Sequence, residues 1–337
     1  MIKTRSAYLN SPWKFELRDI ELPDPPVGFA LVKIAACGIC GTDLSTAIKA
    51  QKWQPFGHEV AGTIHAVGHG ESRLKVGTTV VLESSSFCGT CDLCRDGRVD
   101  LCNKAPNFWS QPAMGFSQYM LAPTACIVSY DGLSPEAACL AEPGGVAVDM
   151  IKVANIQLGD TVCLVGPGPI GLMAAAIARH AGAVRVVCVG HAHSKKRLDV
   201  AAKLGCEIIA HDGPIDGLKD LHKQFQHVLL TAPVQHLPPS LSLLAYGGTL
   251  TYIGFGTGDG NVTFNANDFH VRKLQLRSSF ASPAVYYPTV LKLLKAGVIP
   301  SEELISHRYK LDQIGTAMEA CRDDKGSVAK VVVTCNN

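Results

Sequence analysis

Apolar and polar positions change rhythm along this chain. Thr161–Val165 is a short β-branched run that ends in Gly166-Pro167-Gly168-Pro169-Ile170-Gly171, and the helix-forming run LMAAAIARHAG follows, stopped at Gly182. The alternation continues with a strand-like run at Arg185–Val189, a helix near Lys195–Leu204, and strand-like runs at Glu207–Ala210, His227–Leu230, Thr249–Ile253 and Leu274–Ser278. Strands alternating with helices predict an α/β fold with a doubly wound parallel sheet.

One stretch has no apolar period at all. Cys88, Cys91, Cys94 and Cys102 fall in CGTCDLCRDGRVDLC, rich in glycine and charge, so burial in a core does not explain them. The spacing C-x2-C-x2-C-x7-C fits a tetrahedral zinc site. Two disulfides and an iron–sulfur cluster are the competing readings. Disulfides suit a small secreted chain; this one has 337 residues and 13 cysteines, an odd number, and it opens MIKTRSAYLN without an apolar signal segment. A reduced, cytoplasmic compartment is therefore expected. Four thiolates leave no open position, so this zinc should fold a lobe and do no chemistry.

Composition narrows the function classes. The length predicts about two domains. A net charge of +2 with 18% charged residues offers no basic face, so nucleic acid is not an expected partner. The most apolar stretch, Val162 to Gly190, is interrupted by glycines, prolines, Arg179, His180 and Arg185, which argues against a membrane span.

The glycine turn, read in context, predicts a dinucleotide site: a strand precedes it, a helix follows, and Gly166, Gly168 and Gly171, with Pro169 and Ile170 between them, permit a tight turn and close approach of a pyrophosphate to the N-terminus of the helix that follows. After the next strand, a site for NAD normally offers an acid to the ribose hydroxyls. Here the residues are Gly190, His191, Ala192, His193, Ser194, Lys195, Lys196 and Arg197, with no acid. Small residues followed by histidines and cations would accept a 2′-phosphate, so NADP(H) is favoured over NAD(H), with Gly190, His191, His193, Lys195 and Arg197 as its contacts. The plainer reading is a solvated first helical turn, but cations at that end run against the helix dipole.

A third group lies near the N-terminus: Cys37-Gly-Ile-Cys40-Gly-Thr42-Asp43, then Phe56-Gly57-His58-Glu59-Val-Ala-Gly62. Alone, each is unremarkable. Together with the cysteine loop and the nucleotide turn, in this order, they resemble the zinc-containing medium-chain alcohol dehydrogenase family, in the pattern of its sorbitol, polyol and threonine dehydrogenase branch. The family signature GHE-x2-G-x5-G-x2-V is met at Gly57, His58, Glu59, Gly62 and Gly68, with Glu71 where valine is usual. Lys75-Val-Gly77, Gly115-Phe-Ser-Gln-Tyr119 and Glu142-Pro143 match further family segments, so the resemblance covers essentially the whole chain.

The resemblance implies a Rossmann-type domain at 146–278 inserted in a GroES-like distorted β-barrel catalytic domain, 1–145 plus 279–337, to which a strand at Ala329–Thr334 returns, with substrate between the domains. It implies two zinc ions per chain, one of them catalytic. Cys40 and His58 would ligate the catalytic zinc, Glu59 and Glu142 would share one carboxylate role there, and Cys37 would stand aside. Asp43 would hydrogen-bond the ligand imidazole and fix its tautomer; a turn-capping aspartate is its alternative. Zinc would activate the substrate hydroxyl for hydride transfer to the nicotinamide, and Thr42 would pass on the proton. Several relatives place a histidine three residues later, where this chain has Ser45, so the expected exit for the proton is that serine or water. The linker Gly41 to Gly57 is shorter than in most of the branch. Trp53, Phe56, Phe108 and Trp109 are candidate walls of the cleft, though such aromatics are more often core.

The expected function is zinc-dependent hydride transfer between NADP(H) and a secondary alcohol or ketone of a polyol, cyclitol or sugar derivative, by a homodimer or homotetramer. An aldehyde or simple-ketone reductase is the alternative, and a non-catalytic nucleotide-binding protein on the same fold the remote one.

Overall fold

A computed structural model describes residues 1–254 and 260–335. The chain divides into two compact units. One comprises Met1–Gly145, Ala281–Asp324 and the segment from Lys330 onward; the other comprises Val146–Phe280 and Lys325–Ala329.

The first unit is built on antiparallel strands. A seven-stranded sheet runs in the order Ile305–Lys310, Lys330–Thr334, Phe29–Gly38, Glu59–Val67, Thr79–Leu82, Ile127–Ser129, with Tyr119–Pro123 also paired to Phe29–Gly38. Phe29–Gly38 is the hub. Its apolar residues Ala30, Val32, Ile34 and Ala36 are fully buried, and the register with Glu59–Val67 shifts between Leu31 and Val32 and again between Ile34 and Ala36. Such irregularities bend a strand and let a sheet curl into a distorted barrel. A smaller sheet pairs Ile2–Asn10 with Lys14–Leu22 and Gln54–Pro55.

The last strand, Lys330–Thr334, lies parallel to Ile305–Lys310 and antiparallel to Phe29–Gly38, with Val332 opposite Gly38. On the neighbouring strand Glu59 also faces Gly38. This register fixes which side chains meet below the candidate active site.

The second unit holds a six-stranded sheet in the order Glu207–Ala210, Arg185–Gly190, Thr161–Val165, Phe225–Leu230, Leu244–Tyr252, Gln275–Ser278, every pair parallel. In chain order this is 3-2-1-4-5-6, the dinucleotide-binding arrangement. Helices Pro169–His180 and Lys195–Lys203 connect the first three strands. The simple strand–helix alternation expected from sequence fails after that. Between Ala210 and Phe225 there are only the 3-10 turns Ile215–Gly217 and Lys219–Leu221, and before Leu244 the one α-helix is the four-residue Leu237–Ser240. Ile215, Leu221, Val234 and Leu237 plug the core that long helices would otherwise cover. The fifth strand also starts earlier than its hydrophobic run indicates, because it passes through Gly247 at φ +76° as an irregularity of register rather than ending there.

Candidate active site and metal centres

The strand Phe29–Gly38 ends where the chain must turn, and Cys40 caps the helix Gly41–Lys49 that follows. Asp43, in its first turn, accepts a hydrogen bond from the Cys40 backbone N–H at 2.9 Å. Its other oxygen stands 3.8 Å from Nδ1 of His58, a nitrogen without a hydrogen-bond partner. Asp43 thus both caps the turn and flanks the imidazole. Thr42 and Ser45 are exposed on one face of this helix, and the Cys40 thiol points to Thr42 Oγ1 at 3.6 Å.

His58 enters from Gly57, whose φ is +92° and whose added Cβ would lie 2.6 Å from the Phe116 ring, so only glycine fits that turn. Cys40, His58 and Glu59 bring sulfur, nitrogen and oxygen within 4.8 Å of one another. The histidine and the glutamate are almost wholly buried. Glu142, in the first turn of the helix Ala141–Ala154, places Oε1 3.9 Å from His58 Nε2. Burial pushes the Glu142 carboxyl up to about 8; His58 opposes this, and the negative Glu59 and Cys40 add to it. Burial likewise pushes the Cys40 thiol up to about 11, with Glu59 and Asp43 adding and Lys330 opposing. Acidic groups gathered around one imidazole repel one another when ionised, and the S, N and O donor set suits zinc. Cys37 lies outside the cluster; its thiol donates to the Gly38 carbonyl and fills the space that the missing Cβ of Gly115 leaves.

Glu59 has a partner that sequence reasoning missed. Lys330, 2% exposed, sets its ammonium against the Glu59 carboxylate and donates to the Ile39 carbonyl at 2.8 Å. Burial alone would lower its pKa, but Glu59 and Cys40 raise it well above the usual lysine range. A Cβ on Gly38 would sit 2.0 Å from Glu59 Oε2, so the glycine makes room for the pair. No local motif announces this lysine.

The aromatic candidates separate by burial. Phe108 and Phe56 are core residues, at 0% and 4% exposure, whereas Trp109 is 47% exposed with its ring 5.1 Å from that of His58. Trp53 lies under the Arg18 guanidinium.

Cys88, Cys91, Cys94 and Cys102 converge, with Cys88 Sγ 4.0 Å from Cys94 Sγ and Cys91 Sγ 3.8 Å from Cys102 Sγ. These separations are far beyond a disulfide bond and match the edge of a zinc–thiolate tetrahedron, about 3.8 Å for Zn–S bonds near 2.3 Å. The loop supplies N–H groups to the sulfurs: Thr90 and Cys91 donate to Cys88, and Cys88 donates to Cys102. The Thr90 hydroxyl and these backbone donors hold the Cys88 thiol well below the usual range. Those donors favour a thiolate at Cys88, whereas burial pushes the Cys94 thiol up.

In the second unit each turn glycine has its own reason. Gly166 has φ +102°, and a Cβ there would meet the Ala232 backbone nitrogen at 2.7 Å. Gly171 would meet the Gly166 carbonyl oxygen at 2.4 Å, so it lets helix and strand pack closely. Gly168 caps the helix beginning at Pro169, and nothing lies within 4 Å of where its Cβ would be. Open space at that helix N-terminus is where a pyrophosphate would approach. A pocket at this end of the sheet is lined by Gly168, Gly190, His191, His193, Arg197 and Lys325, among others. Lys195 does not line it, and Pro169, Ile170 and Gly171 shape the turn behind it. Gly190 is also a packing glycine, since a Cβ would lie 2.6 Å from Pro167.

Two charged residues here also escaped the sequence reading. Asp212, after the third strand of the sheet, accepts from the Ala192 N–H at 3.1 Å and lies 3.2 Å from His191 Nδ1. Lys325 arrives on the segment Lys325–Ala329, anchored where Lys196 N–H donates to the Gly326 carbonyl and Arg197 Nε to that of Val328, each at 2.9 Å.

A two-unit chain with this parallel sheet, a buried S/N/O cluster and a separate four-thiol loop defines an alcohol dehydrogenase-type oxidoreductase. Residues 27–132 match the family model "Alcohol dehydrogenase GroES-like domain" and residues 169–296 match "Zinc-binding dehydrogenase". L-galactonate-5-dehydrogenase of Escherichia coli (strain K12) is 31% identical over 330 residues, covering 93% of this chain and 94% of that protein. Sorbitol dehydrogenase of Bacillus subtilis (strain 168) is 29% identical, covering 98% and 97%. Among solved structures, an alcohol dehydrogenase from Thermus sp. ATN1 superposes with a TM-score of 0.88 at 25% identity, covering 98% of this chain and 100% of that one. The chain belongs to the zinc-containing medium-chain dehydrogenases, and it is an enzyme of alcohol oxidoreduction, not a non-catalytic nucleotide binder. Among the described residues no helix is long and apolar enough to cross a membrane.

Proposed function

We propose that this enzyme transfers hydride between NADP(H) and a secondary alcohol, or the matching ketone, of a polyol, cyclitol or sugar derivative. The observation that carries the reading is the buried cluster of Cys40, His58 and Glu59 with Glu142 3.9 Å from the imidazole. Cys40 and His58 would hold the catalytic zinc. Glu142 would be the carboxylate that serves this zinc, because Glu59 is already engaged by Lys330. Zinc bound there supplies Lewis acidity that lowers the pKa of a substrate hydroxyl, or polarises a carbonyl in reverse. Thr42, exposed at the start of its helix, takes the hydroxyl proton and passes it outward through Ser45 or water. Asp43 orients the imidazole. Trp109 offers a partly exposed aromatic face to the C–H side of a sugar-like substrate. Cys88, Cys91, Cys94 and Cys102 would hold a second zinc, which would fix their loop.

NADP(H) is the preferred cofactor in this reading because Arg197 and Lys325 put two cations on the pocket, beside His191 and His193. Asp212, the acid nearest these residues, has Oδ1 turned to the Ala192 N–H and His191. The polyhydroxy substrate class is drawn from relatives named for L-galactonate, sorbitol and arabitol phosphate. The domain assignment is 1–145 with 279–337 for the catalytic part and 146–278 for the nucleotide part. A homodimer or homotetramer is proposed through the edge strand Gln275–Ser278, near which Phe280 is 67% exposed. Thirteen free thiols favour a reducing compartment, the cytoplasm.

The test is reduction of NADP⁺ and NAD⁺ against a panel of polyols, cyclitols, amino-alcohols and simple secondary alcohols, with metal content measured on the same sample. Turnover of a polyhydroxy alcohol with NADP⁺ and two zincs per chain supports the reading. Turnover confined to simple alcohols or aldehydes would move it to the reductase class.

A further inference from the structure

A second cluster of metal-ligating side chains stands apart from the catalytic cluster and the thiol loop. His191 and His193 follow the second strand of the parallel sheet, Arg185–Gly190, and Asp212 follows the third, Glu207–Ala210. The two strands are hydrogen-bonded neighbours, with Gly190 opposite Ala210, and the His211 N–H donates to the Gly190 carbonyl at 2.9 Å. Sheet pairing therefore holds the two strand ends, and the three side chains they carry, in a fixed relation. The imidazoles stack with centroids 5.1 Å apart and planes 12° apart, and the Ala192 N–H holds the Asp212 carboxylate beside His191. One ligand atom from each of the three residues lies within 4.8 Å of the others, and all three are exposed.

We infer that His191, His193 and Asp212 form a third metal site, for a borderline divalent ion such as Ni²⁺, Co²⁺, Cu²⁺ or Zn²⁺, and that its occupation opposes nucleotide binding. Two imidazoles and one carboxylate are the donor set that such ions prefer over Mg²⁺ or Ca²⁺. Exposed side chains need only small rotations to close on an ion about 2.0–2.2 Å from each ligand atom. Both histidines line the nucleotide pocket. An ion with its waters would fill that wall and withdraw the imidazoles as partners for a phosphate. The competition rests on the nucleotide reading above; the metal site does not.

The experiment uses the dialysed enzyme with its resident metal retained, titrated with Ni²⁺ and Co²⁺ by calorimetry and visible absorption, and then with NADPH by fluorescence with and without Ni²⁺. One additional equivalent per chain is expected in the wild type, lost in both His193→Ala and Asp212→Asn. Saturating Ni²⁺ should weaken apparent NADPH affinity at least about tenfold in the wild type and leave it unchanged in Asp212→Asn. Absence of the extra equivalent, or its survival in both variants, overturns the site. An extra equivalent with unchanged NADPH affinity overturns the competition. Failure of the metal-untreated enzyme to bind NADPH would instead count against the nucleotide reading, with the metal titration still readable.

Discussion

Lys330 lies against the carboxylate of Glu59 from the opposite end of the chain, 271 residues away, and both side chains are at most 2% exposed. The pair sits directly behind Cys40 and His58. It engages one of the two glutamates in the cluster, while the other, Glu142, faces His58 at 3.9 Å.

Lys330→Met should therefore destabilise the protein sharply, by about 3–5 kcal/mol, because it leaves Glu59 buried without its cation. Glu59→Gln combined with Lys330→Met should recover most of that loss. Denaturant midpoints of the two single variants and the double variant measure the coupling. Additive effects would mean the two groups do not act as a pair.

Cys102→Ser removes one corner of the thiol tetrahedron. Metal content should fall from two zincs per chain to one, with a drop in thermal midpoint of about 5 °C or more and poorer solubility, since metal binding at such a site is folding free energy. Plasma emission spectroscopy and thermal melts read both. Full stability with one zinc lost would remove the structural role from this loop.

What was legible in the sequence was local. Cys88, Cys91, Cys94 and Cys102 share one loop, and Gly166, Gly168 and Gly171 share one turn, so spacing alone carries their chemistry. Cys40 and His58 became readable only through family resemblance, because strand register, not spacing, brings them together. Lys330 was invisible for the same reason: one lysine in an apolar run carries no signal until Val332 is set opposite Gly38. Asp212 carries no signal in the sequence because a ribose-binding acid is expected after the second strand, whereas parallel pairing brings the end of the third beside it. Gly190 looked like space left for a phosphate, yet its missing Cβ also makes room for Pro167 and Leu198.

Thr42→Val should cut turnover by about 10²-fold or more while nucleotide affinity stays within about twofold, because it removes only a proton acceptor. Ser45→Ala should have a smaller effect, since water can replace that hydroxyl. Steady-state kinetics with nucleotide titration separate the two. Near-normal turnover in Thr42→Val would take this residue out of the proton path.

Lys325→Ala tests cofactor choice without touching the turn glycines. Losing one charge-assisted contact to the 2′-phosphate should raise KM for NADP⁺ by about tenfold or more and leave KM for NAD⁺ unchanged. An equal effect on both cofactors would assign Lys325 to packing of the segment it begins.

Glu83 supplies a pH dependence outside the residues assigned to the metal clusters. It follows the strand Thr79–Leu82, is 4% exposed, and its backbone N–H donates to the Cys126 carbonyl at 2.8 Å. Burial pushes its carboxyl up to about 7, only partly offset by a hydrogen bond with Ser86. A carboxyl with a raised folded pKa holds its proton more tightly in the folded state. Its contribution is complete below the ordinary value of 4.5 and is lost as pH rises through about 7. Glu83→Gln keeps the shape and the neutral form at every pH. The variant should therefore gain stability over the wild type as pH rises from about 4.5 to 7, by up to about 3 kcal/mol. Thermal midpoints of both proteins across that range give the difference directly, and parallel pH profiles would mean that Glu83 is not held protonated by the fold.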